Sequence, residues 1–110
     1  MTTDPLALMT DVDQATDRLI RTAERLDHAA VTAPSALPGW TTGHVLTHVA
    51  RNADAYTNLL TWARTGVETP MYPDRATRAA EIESSAKAPV ATLRAELLST
   101  ARDLLGVASA

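Results

Sequence analysis

Apolar residues spaced three and four positions apart, in long segments, constrain the fold of this chain more than any other feature. Near the N-terminus they are Leu8, Val12, Ala15, Leu19, Ala23 and Leu26. Near the C-terminus they are Val90, Leu93, Leu97, Ala101 and Leu104. This spacing is typical of amphipathic helices, because side chains in a strand alternate every two residues. We therefore predict an all-α fold.

Capping residues, prolines and glycines set the limits of the expected first helix. Asp4 is a good N-cap and Pro5 suits the first helical position, so the helix should begin there and run to about His28. Residues 29–39 contain two prolines and a glycine and are expected to form a loop.

The expected second helix is capped by Thr41 or Thr42 and ends near Arg64 and Thr65, before Gly66. At about 100° per residue, one face carries most of its apolar side chains. These are Val45, Val49, Tyr56, Leu59, Leu60 and Ala63. The opposite, polar face carries Arg51, Asp54, Asn58 and Thr61. We expect the apolar face to be buried.

The rest of the chain predicts a short helix and a third long one. Asp74 should cap a helix that runs through Ile82, and Pro89 should open the last helix. Three further apolar residues on that helix call for one more packing surface: Leu98, Leu105 and Val107. We therefore expect residues 1–110 to form one partial domain, with three long antiparallel helices and the fourth bundle helix missing.

Composition excludes several classes of function. The 110 residues have a net charge of -3, and no basic cluster suggests binding to nucleic acid or to an anionic membrane. The chain has no cysteine, so it cannot supply a thiol nucleophile. It has no apolar segment long enough to span a membrane, and its acidic N-terminus does not resemble a signal peptide. We expect a cytoplasmic protein.

Two of the three histidines, His44 and His48, lie four residues apart at the start of the second helix. On the helical wheel His48 lies at the edge of the apolar face, and His44 is about 40° further toward solvent. Asn52, one turn later, falls within that face. Such polar groups either hydrogen-bond neighbouring helices or, in the case of His48, bind a metal from inside the bundle.

Other candidate ligands are weaker. An i, i+4 histidine pair can bind zinc, but the protease motif needs a glutamate where this chain has Val45. His44 is therefore the runner-up to His48, expected to be exposed or to support the ligand. His28 suits the end of a helix. The carboxylates of Glu68, Glu81 and Glu83 are expected to be solvated.

The stretch LPGWTTGHVLTHVARNADA and the following NLLTWARTGVETPMYPDRATRAAEIE resemble the N-terminal domain of mycothiol-dependent maleylpyruvate isomerase, a branch of the DinB-like helical-bundle metalloproteins. The resemblance covers roughly residues 5 to 105, and the motifs GWTTGHVLTHVARN and TGVETPMY within these stretches together make it specific. It implies a DinB-like bundle and a divalent metal, usually zinc. It also implies mycothiol as the thiol cofactor and a small-molecule substrate. Of the family's three metal ligands, the one on this helix matches His48.

The resemblance also implies a mechanism. The cofactor's thiolate adds to the cis double bond of the substrate, the bond rotates, and elimination gives the trans product, so a protein without cysteine suits it. The family's other two ligands, a glutamate and a histidine on a later helix, have no match in this chain. We expect a fragment, or a short form completed by another subunit, as in a homodimer.

Three functions remain open from the sequence. The first is a metal-dependent, thiol-cofactor isomerase or transferase domain. The second is a non-catalytic helical module that dimerises or binds a partner. The third is a metal-free pocket for a small ligand, lined by Trp40, Asn52, Tyr56 and Tyr72. Asn52 and Tyr72 are also the candidates for contact with the cofactor.

Overall fold

The computed structural model describes residues 4–108, except for the side chains of Pro5 and Leu6. Within this range the chain forms five helices and no strand, which confirms the all-α prediction. They are α1 (Pro5–Glu24), α2 (His28–Thr32), α3 (Thr42–Thr65), α4 (Arg75–Ser85) and α5 (Val90–Ala108). None of the helices in this range is long and apolar enough to cross a membrane.

The order of contacts along the helices gives their directions. Helices α1 and α5 are antiparallel, since Arg94 near the start of α5 donates hydrogen bonds to carbonyl groups at the end of α1. Helices α3 and α5 run in the same direction instead. The start of α3, at Gly43, lies beside Ala86 just before α5, and Arg51 further along α3 pairs with Glu96 further along α5.

The expectation that all three long helices are antiparallel is therefore wrong for α3 and α5. Residues 66–89 cause this arrangement, because they carry the chain back to the start of α3 before α5 begins. Helix α4 is the main part of this return. Its side chains meet α3 in reverse order, Arg78 at Asn52 and Glu83 at His44.

The capping predictions for α3 and α4 are confirmed. Thr41 is the N-cap of α3, and Gly66 ends that helix with a left-handed conformation at φ 74°. Asp74 caps α4 through the Thr77 N–H at 2.7 Å, although the helix continues three residues beyond Ile82, to Ser85.

The predicted end of the first helix at His28 is wrong. Helix α1 ends at Glu24, and Asp27 accepts a hydrogen bond from the Ala30 N–H at 2.8 Å to start α2 inside the expected loop. His28 therefore begins a short helix, and the expected role at a helix C-terminus does not apply. A good N-cap only three residues after Glu24 starts a new helix in a different direction.

The predicted buried face of α3 is also wrong over its second half. Tyr56, Leu59 and Leu60 are all more than one-third exposed, Tyr56 by 47%. The buried residues of α3 all lie between Gly43 and Ala55, and most of them are small, such as Thr47, Ala50 and Ala53. The supposed polar face is half-buried, because α4, its preceding loop and α5 cover it. Small side chains let α3 and α5 approach closely, and a wheel of one helix does not show where its neighbours lie.

The core lies where α1, α2, α3 and α5 meet. Its buried members are Ala23, Val31, Leu46, Leu93 and Leu97. Leu93 and Leu97 belong to the stripe that the sequence predicts for α5, so that part of the prediction is confirmed. Burial of such side chains, at about 25 cal/mol per Å² of apolar surface, is the main force that holds α5 against the other helices.

Arg94 ties the end of α1 to α5. Its guanidinium donates to the carbonyl oxygens of Ala23, at 3.1 Å, and Leu26. Carbonyl groups at the end of a helix lack partners within the helix and carry partial negative charge, so a cation there is favourable. This contact and the core both join the end of α1 to α5.

We predict that Arg94→Met lowers the free energy of unfolding by about 1–2 kcal/mol, because it removes charged hydrogen bonds and keeps a side chain of similar length. Urea denaturation measures this loss. The exposed Arg102 on the same helix supplies the matched control, Arg102→Met, which should change stability by less than about 0.5 kcal/mol. Equal effects of the two changes would contradict the role of Arg94.

Gly43 allows the start of α3 to approach the ends of two other helices. A Cβ atom there would lie 2.7 Å from the Ala86 carbonyl oxygen and 3.2 Å from that of Val31. Both neighbours are backbone atoms, which cannot move away as a flexible side chain can. At Gly106, on α5, no other part of residues 4–108 lies within 4 Å of the same position, apart from the adjoining backbone of the helix itself.

We predict opposite effects of alanine at these two helical glycines. Alanine is favoured over glycine in a helix by up to about 1 kcal/mol, so Gly106→Ala should stabilise the protein by a part of that amount. Gly43→Ala should destabilise it, because the clash outweighs the helical preference. Thermal unfolding of the two variants provides the comparison, and a stabilised Gly43→Ala would show that the helix ends are not in close contact.

Candidate functional site

His44, in the first turn of α3, is held through both of its ring nitrogens. The Thr41 N–H donates to Nδ1 at 3.1 Å, and the Thr41 side chain accepts from the His44 N–H, which forms a capping box. Since Nδ1 is an acceptor, Nε2 carries the proton of the neutral ring and donates to Glu83 Oε2 at 3.0 Å. The ring thus links the start of α3 to α4.

His44 is buried, with 8% of its surface exposed, so the expectation that it faces solvent is wrong. Trp40 stacks on its ring, with centroids 5.9 Å apart and planes 17° apart, and Glu83 covers its far edge. Glu83 was expected to be solvated; its side chain is 61% exposed, but one of its oxygens binds His44. Both differences arise from α4, which the wheel of α3 does not include.

His48 is half-buried and differs from His44 in its hydrogen bonding. Its ring lies 5.5 Å from that of Trp40, tilted by 52°, and within residues 4–108 no hydrogen bond to its ring nitrogens is seen. The ring lines a cavity of about 360 Å³ between α3 and α4, the His48 cavity. Its other lining residues are Trp40, Arg75, Arg78, Ala79, Ile82 and Glu83.

This contrast bears on the choice of metal ligand. Binding of a metal by His44 would require it to give up Thr41 or Glu83, whereas His48 would lose no such bond. The order of His48 before His44 stays a prediction; these hydrogen bonds favour it for a different reason from the wheel, which placed His48 deeper than His44.

The residues described here do not build a complete metal site. Among residues 4–108 no three His, Cys, Asp or Glu side chains lie close enough together to hold an ion. A catalytic zinc takes three protein ligands and one open position. One imidazole does not meet that requirement, so we assign no chemical step to a metal on this chain.

Arg78 connects the two residues that were candidates for cofactor contact. Its guanidinium donates to Asn52 Oδ1 at 2.8 Å and lies over the Tyr72 ring, 5.0 Å from the centroid. Asn52 belongs to α3, Tyr72 to the loop before α4, and Arg78 to α4 itself. The two stretches that resemble the isomerase family contain all three residues, but nothing in their spacing indicates that they meet.

Asn58 holds the loop that carries Tyr72 against α3. Its side-chain amide donates to the carbonyl oxygens of Pro70, at 3.1 Å, and Met71, at 3.4 Å. Prolines restrict the same loop on either side of Tyr72. The aromatic ring under Arg78 is therefore fixed by backbone contacts.

A larger cavity of about 830 Å³ lies on the other side of Arg78, the Asp54 cavity. Its charged residues are Arg51, Asp54, Arg78, Glu81 and Asp103. Arg51 pairs with Asp54 at 3.3 Å and with Glu96 of α5 at 3.7 Å. Burial raises the pKa of Asp54, the nearby Arg51 charge lowers it in part, and Asp103 raises it further.

We predict that the free energy of unfolding of Asp54→Asn, relative to that of the wild type, increases as pH rises. A carboxyl with a raised pKa keeps its proton longer in the folded state, so the wild type loses stability as pH rises from 3.8 through the folded-state pKa. The amide does not titrate, so this loss is absent in the variant.

Urea denaturation between about pH 4 and pH 7 measures the difference between the two proteins. Asp13→Asn, on the exposed side of α1, shows the general effect of removing one negative charge. If the free energy of unfolding of Asp54→Asn relative to the wild type decreases as pH rises, the raised pKa of Asp54 is contradicted.

The four residues suggested for a metal-free pocket line three different cavities. Trp40 lines the His48 cavity, and Tyr72 lines the Asp54 cavity. Asn52 and Tyr56 line a third one, between α1, α3 and α5.

Sequence reasoning missed Arg75 and Arg78, which line the His48 cavity. The only signal in the sequence is that the two arginines are three residues apart, directly after the Asp74 N-cap. This spacing places them on one side of α4. Such a pair is common on exposed helices, so it does not by itself indicate a site.

Comparison with known proteins identifies the family. The family described as the mycothiol maleylpyruvate isomerase N-terminal domain matches residues 12–110. The chain belongs to this family. The resemblance stated from the GWTTGHVLTHVARN and TGVETPMY motifs is therefore confirmed.

Solved structures of mycothiol-dependent maleylpyruvate isomerase share the fold of this family member. One is 33% identical with a TM-score of 0.90, and a mutant form, crystallised with a histidine replaced by alanine, is 32% identical with the same score. Each match covers 97% of this chain and 46% of the solved chain, so this chain spans about half the length of those proteins. No match was found among the curated proteins.

Proposed function

We propose that this chain supplies the His48 side of the active site in a mycothiol-dependent isomerase or transferase. The observation that carries the proposal is the His48 imidazole, which lines a cavity and has no hydrogen bond to its ring nitrogens from residues 4–108, in a chain of this family. The solved relatives are by name maleylpyruvate isomerases that depend on mycothiol. For this chain we propose a reaction of the same class, in which a small-molecule substrate is converted with the help of a low-molecular-weight thiol.

The absence of cysteine supports a thiol brought in by a cofactor. Addition of a thiolate to a cis double bond, rotation and elimination require a nucleophile that leaves again, and sulfur serves well in both steps. In this proposal the chain's own residues bind and orient the reactants. Asn52 and Tyr72 remain the candidates for contact with the cofactor. Both of them also hold Arg78 in position.

A divalent metal such as zinc belongs to the proposal only with ligands from outside residues 4–108. His48 would be one ligand, and the others would come from a further segment or from another subunit. When bound, such an ion would lower the pKa of a coordinated thiol. A homodimer is one way to bring two sets of ligands together, and the cytoplasmic location stays a prediction.

A second candidate function is a non-catalytic module that dimerises, and the third cavity favours it. This apolar groove between α1 and α3 has α5 as its floor, and it is lined by Val12, Leu19, Tyr56, Leu104 and Leu105 among others. Val12 and Tyr56 are close to half exposed, and Leu59 and Leu60 lie on the next turn of α3. Contiguous exposed apolar surface of this kind is typical of protein interfaces.

A zinc titration followed by native mass spectrometry tests both functions. The first predicts that zinc is taken up in stoichiometric amounts, and that His48→Ala abolishes the uptake. His44→Gln is the control, because glutamine is a usual residue at this position of a capping box. A chain that takes up no zinc, or that takes it up equally after His48→Ala, contradicts a metal role for His48.

The same spectra report the mass of the assembly. The second candidate predicts a dimer that forms equally with and without zinc, and equally in the His48→Ala variant. A monomer under all conditions contradicts that candidate.

A further inference from the structure

Arg78 is a half-buried cation without a carboxylate partner among the residues that the structure describes. Its contacts are the neutral amide oxygen of Asn52 and the ring of Tyr72. Of the other half-buried arginines, Arg51 pairs with both Asp54 and Glu96, and Arg94 donates to carbonyl oxygens at the negative end of α1. A charge removed from water normally requires an opposite charge.

The contacts of Arg78 fix its position without neutralising it. Asn52 takes one of the five N–H groups of the guanidinium, and Tyr72 supports it through the ring. Asn58 in turn holds the loop of Tyr72. Much of the entropy cost of ordering a long side chain is thereby met before any ligand arrives, and a planar guanidinium matches the geometry of a carboxylate.

Charge decides on which side of Arg78 an anion would bind. The Asp54 cavity contains the acids Asp54, Glu81 and Asp103 against two arginines. The His48 cavity contains two arginines, Arg75 and Arg78, against Glu83, which is engaged by His44. An anion is therefore favoured beside His48, and about 360 Å³ suits a small organic molecule.

We propose that Arg78, held by Asn52 and Tyr72, binds a carboxylate group of a small organic anion in the His48 cavity, with Arg75 as a second cation at that cavity. Arg78 is thus a substrate-binding residue. The inference rests on the proposed function, since it names the substrate class of the same cavity. Binding of the carboxylate requires neither metal nor thiol, so this inference and the proposed function can fail separately.

Titration of the ¹⁵N-labelled chain with maleate, followed by NMR, tests the proposal in the absence of metal and thiol. Maleate is a small cis-dicarboxylate, and its uncharged diamide has nearly the same shape. Maleate should shift the Arg78 Nε–H signal and the amides around His48 in a saturable way, whereas the diamide should not. Arg78→Gln should weaken maleate binding by about tenfold or more.

Two further variants separate binding from folding. Arg25→Gln removes the same charge at an exposed position and should leave maleate binding unchanged. Asn52→Asp keeps Arg78 but gives it an internal carboxylate, so it should weaken maleate binding about as much as Arg78→Gln while the fold is retained. This variant also decides the case if Arg78→Gln does not fold.

The proposal is overturned if maleate and the diamide bind alike, or if Asn52→Asp leaves maleate binding intact. It is also overturned if the maleate-induced shifts map to the Asp54 cavity. If maleate binds as expected and His48→Ala does not affect zinc uptake, the proposed metal role fails and carboxylate binding by Arg78 stands.

Discussion

The close approach at Gly43 is the contact on which the rest of this structure depends. Because Gly43 has no Cβ, the backbone oxygens of Ala86 and Val31 can lie against the first turn of α3. The ends of α2 and α4 therefore meet at one point, just before α5 begins. From there α5 runs beside α3 in the same direction, and α4 packs along α3 in the reverse direction.

The position of α4 separates the two histidines of α3. Glu83 reaches Nε2 of His44, while His48, one turn further, faces a cavity edged by Arg75 and Arg78. Two identical residues on the same helix thus have different chemistry. One is a structural link between helices, and the other keeps ring nitrogens available for a ligand.

Two of the half-buried arginines, Arg51 and Arg78, show how the protein divides its charges. Arg51 is paired twice and joins α3 to α5, so its charge contributes to the fold. Arg78 is positioned by an amide and an aromatic ring, so its charge remains available. An arginine that is ordered but not neutralised is well suited to recognition of an anion, because binding then costs little further order.

The sequence by itself determined the all-α class, the caps at Thr41, Gly66 and Asp74, and the family, because capping, helical period and motifs depend on neighbours in the chain. It also indicated the α5 stripe with Leu93 and Leu97. Only the tertiary structure decided that α3 and α5 are parallel, that His44 is buried, and that Asn52, Tyr72 and Arg78 meet. These features depend on how residues 66–89 fold back along α3, and side-chain spacing within one helix carries no information about which residues a returning segment places beside it.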